Sequence, residues 1–294
     1  MNKVIVILGP TAVGKTKMSV ELAKKLDGEI INADSTQIFK ELDIATAKIT
    51  EKEKEGIPHY LFDIKDKEED YTVYDYQKDC RSKIDDILSR GKTPILVGGT
   101  GLYIKAALYN YEFEEQSLKN DYSMLSLDEL YNKLISIDPK TTIHKNNRKR
   151  VERVLDYYNE TGKLPSKEKS DKILYDTLFI GLTTDRDILY ERINKRVDVM
   201  NNSGLLEEAK WVYESGIRTK AITTPIGYKE LFPYFDNIEP LEVCLDKIKQ
   251  DSRRYAKRQY TWFNNQMNAT WFNVNFDNFN ETIDDVYNFI KKYK

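Results

Sequence analysis

The segment Gly9-Pro10-Thr11-Ala12-Val13-Gly14-Lys15-Thr16 has the spacing G-x-x-x-x-G-K-[ST]. Glycines let such a backbone curl so that successive N–H groups face one anion. A helix starting there adds the favourable end of its dipole. Lys15 supplies a point charge, and the Thr16 hydroxyl a ligand for Mg²⁺. The motif therefore holds a phosphate or diphosphate without saying what carries it. Such sites usually add a strand ending in Asp, but the run Thr93–Val97 leads into Gly98-Gly99-Thr100 instead. Asp34, after the run 29–33, offers the missing carboxylate. It is a candidate general base for a group held beside the phosphates, or else the cap of the segment that follows.

These side chains can act together only if the chain brings them together. Val4–Leu8 is a short continuous apolar run, as expected of a strand buried on both faces. After the glycine loop, Met18, Leu22, Ala23 and Leu26 share one face of a helix. A second strand is predicted over 29–33. A helix over 75–90 carries Tyr76, Cys80, Ile84, Ile87 and Leu88 and stops at Gly91, and a strand follows over 93–97. This alternation predicts an α/β fold, a P-loop NTPase-like parallel sheet flanked by helices. In such a sheet ligands bind outside the carboxyl ends of the strands, so residues 9–16, Asp34 and Thr100 should meet in one crevice.

The character changes after Tyr109. Seven acidic residues (Glu112, Glu114, Glu115, Asp121, Asp128, Glu129 and Asp138) stand against Lys119 and Lys133. Helices are predicted over 127–137 and 147–158, the latter closed by Gly162 and Pro165. A strand over 178–182, a largely helical stretch over 187–213 and a late strand over 270–274 complete the pattern. The expected organisation is an α/β core of 1–109 and 174–294 with a small helical insert domain, 110–173.

The 294 residues carry 46 Lys plus Arg and 48 Asp plus Glu, a formal charge of −2. A hydrophobic share of 40% supports a core, and no run approaches the roughly 20 apolar residues of a membrane span. Thirteen Gly and eight Pro exclude a collagen-like or low-complexity chain. Cys80 and Cys244 form no Cys-x-x-Cys pair and read as buried thiols of a reducing cytoplasm. The apolar run near the N-terminus is too short for a secretory leader. The near-zero total argues against a nucleic-acid partner, but local charge argues the other way. Lys145, Arg148, Lys149, Arg150 and Arg153 stand against Glu152, and Lys247, Lys249, Arg253, Arg254, Lys257 and Arg258 against Asp251. On helices these make basic stripes suited to phosphates. Tyr255, Tyr260 and Trp262 interleave with the second and offer stacking surfaces for unpaired bases. His59 reads as a structural histidine.

Taken in order, the segments 9–16, Asp34-Ser35-Thr36-Gln37, 43–48, Val97-Gly98-Gly99-Thr100-Gly101-Leu102-Tyr103, Ile143-His144, Lys149-Arg150-Val151-Glu152-Arg153, Gly204, 226–231, Ala256-Lys257-Arg258-Gln259 and Trp262-Phe263 resemble the tRNA dimethylallyltransferase (tRNA isopentenyltransferase) family of bacterial type. The resemblance covers most of the chain. It implies transfer of a dimethylallyl group from dimethylallyl diphosphate to the exocyclic N6 amine of the adenosine 3′-adjacent to the anticodon, with Mg²⁺ required and pyrophosphate released. It implies that the glycine loop, an ATP-binding-like motif, holds the donor's diphosphate through Gly9, Pro10, Thr11, Ala12, Val13, Gly14, Lys15 and Thr16, with Thr16 on the metal. Asp34, Thr100, Lys15 and Arg196 are the catalytic residues it implies, Asp34 as base and Thr100 helping to position the adenine or base pair it with Asp34. For tRNA it implies Asp34, Ser35, Thr36, Gln37, Thr100, Lys149, Arg150, Val151, Glu152, Arg153, Lys257, Arg258 and Gln259, with the insert gripping the anticodon stem and the target base flipped into the pocket. A cytoplasmic monomer away from membranes is expected.

Ala45, Ile49 and Asn264 depart from the family pattern, where Gly, Pro and Arg are usual, and the insert is shorter between Tyr109 and Leu127. No zinc-finger tail of the kind seen in eukaryotic members is expected. The rival readings are an adenylate isopentenyltransferase acting on a free nucleotide, a small-molecule P-loop kinase, and a non-catalytic RNA-binding or nucleotide-switch protein.

Overall fold

A computed structural model describes residues 3–111, 120–164 and 172–293. Glu112, Glu114, Glu115 and Lys119 of the acidic stretch, and Pro165, lie outside them. Two compact units are formed, one of Met1–Tyr109 with Ile173–Lys294 and one of Asn110–Lys172.

The first unit begins with β1 (Val4–Leu8), α1 (Lys15–Leu26), β2 (Gly28–Asn32), α2 (Glu51–Lys54), β3 (His59–Tyr60), α3 (Val73–Ser89), β4 (Thr93–Val97) and α4 (Gly101–Leu108). The second unit holds α5 (Leu127–Ile137) and α6 (Arg148–Thr161). The first resumes with β5 (Thr177–Thr183), α7 (Arg186–Asn202), α8 (Leu205–Glu214), α9 (Lys220–Thr223), α10 (Phe232–Phe235), α11 (Leu241–Gln266), β6 (Thr270–Asn273) and α12 (Phe279–Lys291). Among the described residues six strands make one sheet in the order β3-β2-β4-β1-β5-β6, every pair parallel.

β1 is central, between β4 and β5, which is why all five of its side chains are apolar and fully buried. They alternate between two cores. Val4, Val6 and Leu8 pack with α3 and α4 residues such as Tyr76, Ile84 and Ile104, while Ile5 and Ile7 pack with Met18 and Leu22 of α1. Burial of each aliphatic side chain contributes about 1.5–3 kcal/mol. The strand edge opposite the glycine loop is tied by Glu29, which is almost fully buried. Arg90 binds it in bidentate fashion at 2.7 and 2.6 Å, Lys92 lies at 3.1 Å, and Tyr60 donates at 2.8 Å. Arg90 above all holds the Glu29 carboxyl down to about 2.

The stretch expected to be helical over 187–213 is two helices, broken at Gly204, whose φ of +103° ends the first register. In the second unit Leu130 and Leu134 of α5 pack on Val151 and Leu155 of α6. Ser126 and Glu129 form a capping box at the start of α5. Asp156 is buried and accepts from Asn120 at 2.6 Å and Tyr122 at 2.9 Å. Cys80 and Cys244 are both free and buried. Among the described residues no helix is long and apolar enough to cross a membrane.

Candidate active site

A cleft of about 1420 Å³ opens where β1, β2 and β4 end. Thr11, Ala12, Gly14, Lys15 and Thr16 line it, as do residues 34–37 and 43–50, Gly98, Arg192, Arg196, Tyr255, Arg258 and Gln259. The shape of its glycine-loop end follows from backbone geometry. Gly14 has φ +98° and caps α1 without a side chain, leaving the first-turn N–H groups of α1 for a ligand. A Cβ at Gly14 would meet the Phe279 ring at 2.7 Å. Thr11 is held from behind, its N–H donating to Gln259 Oε1 at 2.9 Å. Val13 is buried and anchors the loop. Gly9 and Pro10 join it to β1, and the Pro10 carbonyl accepts from Lys15 Nζ at 2.7 Å.

Burial pushes the Lys15 ammonium down to about 8, with Asp34 pulling against the shift and Arg196 adding to it. Arg196 is half-buried on α7, makes no hydrogen bond or ion pair with a described residue, and is itself lowered by burial against the raising effect of Asp34. Lys15, Arg196 and Asp34 therefore sense one another's charge across the cleft. Arg192, one turn before Arg196, donates from Nε to the Ala12 carbonyl at 3.1 Å and lies over the Phe276 ring at 3.7 Å.

Asp34 closes a local turn with one carboxylate oxygen and leaves the other open. Oδ1 accepts from Thr36 N at 3.1 Å and Thr36 Oγ1 at 2.7 Å, closing an Asx turn, and Oδ2 takes no hydrogen bond from the described residues. Thr100 is engaged by Ser35. Its hydroxyl accepts from Ser35 N at 3.0 Å and meets Ser35 Oγ at 3.2 Å, so it pairs with Ser35 and not with Asp34. Thr100 also does not line the cleft. Gln37 Nε2 donates to the Thr46 and Ala47 carbonyls at 3.0 and 3.2 Å.

Four side chains given to RNA turn inward. Gln259 is buried, with Oε1 on Thr11 N and Nε2 donating to the Gly99 carbonyl at 3.1 Å, so its amide joins the glycine loop to the β4 loop. Gly99 is required there, because a Cβ would sit 2.1 Å from that amide nitrogen. Tyr260 contacts Thr183 Oγ1 at 2.7 Å through its hydroxyl and packs beside Trp271. Val151 is fully buried in the second unit, and Glu152 pairs with Arg148 at 2.7 Å. Tyr255 faces the cleft, its phenol raised by burial and by the charge of Asp34, with hydrogen bonds to Thr100 and Gln259 opposing.

The basic stripes are thinner than their sums. Lys247 and Arg254 share Asp251, and Lys249 pairs with Asp198 of α7 at 2.6 Å. Lys257 and Arg258 are exposed and make no ion pair with a described residue, as is true of Lys149, Arg150 and Arg153 on α6. Lys257 and Arg258 also line a shallow pocket of about 350 Å³ with Trp262. His59 Nδ1 donates to the Ile57 carbonyl at 2.7 Å, and the imidazole pKa is lowered, chiefly by burial.

Among the described residues no group of three His, Cys, Asp or Glu side chains could hold a metal ion by itself. A single hydroxyl suits Mg²⁺ when the substrate supplies phosphate oxygens and water fills the rest. Thr16, exposed and with no hydrogen bond from its hydroxyl to a described residue, fits that role.

Sequence reasoning missed Glu208. From α8 it accepts from the backbone N–H groups of Asp43, Ile44 and Ala45 at 3.0, 2.8 and 3.0 Å. Its signal was its place on the stripe of Leu205, Ala209 and Val212.

A family model described as IPP transferase matches residues 37–266. The tRNA dimethylallyltransferase of Anoxybacillus flavithermus is 50% identical over 301 residues, 99% of this chain and 96% of that relative. That of Bacillus subtilis is 49% identical over 284 residues, covering 92% and 90%. A crystal structure of a tRNA delta(2)-isopentenylpyrophosphate transferase from Staphylococcus epidermidis superposes with a TM-score of 0.76 at 43% identity and covers all of both chains. A eukaryotic dimethylallyltransferase acting on tRNA gives a TM-score of 0.81 at 35% identity, over 93% of this chain and 74% of that one. The match spans the Asp34 loop's Gln37, α7 with Arg196, and α11 with Gln259, and by it the chain belongs to the IPP transferase family.

Proposed function

We propose that the chain transfers a dimethylallyl group from dimethylallyl diphosphate to the N6 amine of the adenosine 3′-adjacent to the anticodon of tRNA. The observation that carries this reading is one cleft holding an anion loop with Lys15 and Arg196 and, facing them, the uncommitted Oδ2 of Asp34. A carboxylate opposite a diphosphate site suits proton removal from an acceptor.

The donor's diphosphate lies on the N–H groups of residues 12–16, with Lys15 released from the Pro10 carbonyl to meet it. The allylic C–O bond breaks and its electrons leave with pyrophosphate. Lys15, Arg196 and the start of α1 stabilise that charge. The N6 lone pair forms the new C–N bond, and the N6 proton passes to Asp34. Thr16 would hold Mg²⁺ through its hydroxyl, and the ion would supply charge neutralisation for the diphosphate. Thr100 acts through Ser35 to hold the Asp34 turn. Lys257 and Arg258 on α11, and Lys149, Arg150 and Arg153 on α6, take phosphates of the anticodon stem-loop, the second unit gripping the stem. The protein acts in the cytoplasm as a monomer.

The test is incubation with Mg²⁺, labelled dimethylallyl diphosphate and tRNA, with AMP and ATP as controls. Label is expected in tRNA alone. Label in AMP alone, or phosphoryl transfer from ATP, overturns the reading. Asp34→Ala should keep donor binding and lose at least about 10²-fold in turnover. Wild-type turnover in that variant would remove Asp34 from the chemistry.

A further inference from the structure

The segment 43–47, which lines the cleft beside Asp34, belongs to no helix or strand. Its N–H groups must find partners outside regular structure. Three successive ones point at a single carboxylate. Asp43 N and Ile44 N donate to Glu208 Oε2 at 3.0 and 2.8 Å, and Ala45 N donates to Oε1 at 3.0 Å. The fully buried Tyr228 donates its hydroxyl to Oε1 at 2.7 Å, which orients the carboxylate from below. Successive backbone N–H groups curled about an anion form a nest; here the anion is the protein's own side chain.

The hydrogen bonds continue beyond the nest. The Thr46 and Ala47 carbonyls accept from Gln37 Nε2, Gln37 N donates to the Asp34 carbonyl at 3.3 Å, and Thr36 donates twice to Asp34 Oδ1. A continuous path thus runs from α8 to the carboxylate on which the proposed chemistry depends. Lys48 closes the loop's other end on the Phe39 carbonyl, Asp43 and Asp63. Charge repulsion between Glu208 and Asp34 is not what holds the loop; directional hydrogen bonds are. A glutamine in place of Glu208 keeps the shape but replaces one accepting oxygen with a donor facing the same N–H groups or the Tyr228 hydroxyl.

We infer that Glu208 is a positioning residue: its carboxylate fixes the 43–47 loop, and through Gln37 sets the Asp34 turn against the acceptor base. This rests on the assignment of Asp34 as the base. The diphosphate end of the cleft, built on residues 9–16, is outside the path, so the inference separates the two substrates.

The experiment measures kcat, KM for tRNA and the dissociation constant for dimethylallyl diphosphate in the full chain. Glu208→Gln should lower kcat at least tenfold and raise KM for tRNA, with donor affinity within twofold of wild type. Tyr228→Phe, which leaves the three amide bonds, should lose less than threefold. Gln37→Leu breaks the next link without touching α8 and should repeat the kcat loss, so the inference stays falsifiable even where Glu208→Gln fails to fold. Wild-type kcat in Gln37→Leu, or in a folded Glu208→Gln chain, overturns the inference, as does equal loss of donor and tRNA affinity. Asp34→Ala run alongside keeps the two assignments apart: if it retains turnover, the role of Asp34 has failed, whereas if it alone loses turnover, only the role of Glu208 has.

Discussion

Lys15 shows how a single buried cation links binding to pH. In the protein without donor its ammonium is pressed down to about 8 by burial. It therefore loses its proton as the pH climbs through that value, and a neutral amine attracts no diphosphate. Affinity for dimethylallyl diphosphate should fall about tenfold between pH 7 and pH 9. Lys15→Arg, whose guanidinium stays charged, should bind with a flat profile over the same range; isothermal titration across pH reads both, and a flat wild-type profile contradicts the prediction. Stability moves the other way. The unfolded chain holds the Lys15 proton up to its ordinary value near 10.5, so it binds more protons than the folded chain between about 8 and 10.5, and this residue's contribution to stability rises with pH there. A site tuned to capture an anion thus carries a cost when empty.

At the scale of elements, α11 is the piece that makes the two loops one site. Its buried stripe of Cys244, Ile248, Ala256, Gln259 and Phe263 contains one amide, and that amide bonds Thr11 N and the Gly99 carbonyl. Gln259→Leu keeps the volume and strands both backbone groups, which should cost about 1–3 kcal/mol in urea unfolding. It should also weaken donor binding, because the glycine loop loses its tether. Unchanged donor affinity at lowered stability would make Gln259 a packing residue only. The same stripe explains what could be read without coordinates. β1, β4 and the glycine loop were legible because full burial of a central strand demands uninterrupted apolar residues, and because the loop's spacing is dictated by phosphate geometry. The acid at the end of β2 was legible for the same topological reason. The roles of Gln259, Glu208 and Tyr260 were not, because the direction a polar side chain takes from a helix depends on which neighbours pack there. A polar residue on an apolar helical stripe marks an internal hydrogen bond before it marks a partner, as Gln77, buried on α3 and donating to the Ala106 carbonyl at 2.8 Å, does too.

Across the whole molecule, a formal charge of −2 coexists with exposed cations that no described carboxylate neutralises. What matters to a polyanion is that residue, not the total. Asp251 and Asp198 quench half of the six α11 cations, leaving Arg253 on the Asn194 amide oxygen and Lys257 and Arg258 exposed, while α6 keeps Lys149, Arg150 and Arg153. Each phosphate contact releases counterion, so each contributes about 0.7–0.9 to the slope of log affinity against log salt. Lys149→Ala with Arg153→Ala, and separately Lys257→Ala with Arg258→Ala, should each flatten the slope of log KM for tRNA by about 1.4–1.8. The α6 pair should leave kcat at saturating tRNA unchanged, since none of its residues lines the cleft, whereas Arg258 does. Substituting Lys247 and Lys249, whose charges are already paired, is the control and should leave the slope where it was. If the control flattens the slope as much as the α11 pair, ion pairing does not decide which cations meet the RNA; if the α6 pair changes nothing, the second unit grips no phosphate and its basic face serves only to keep α6 solvated.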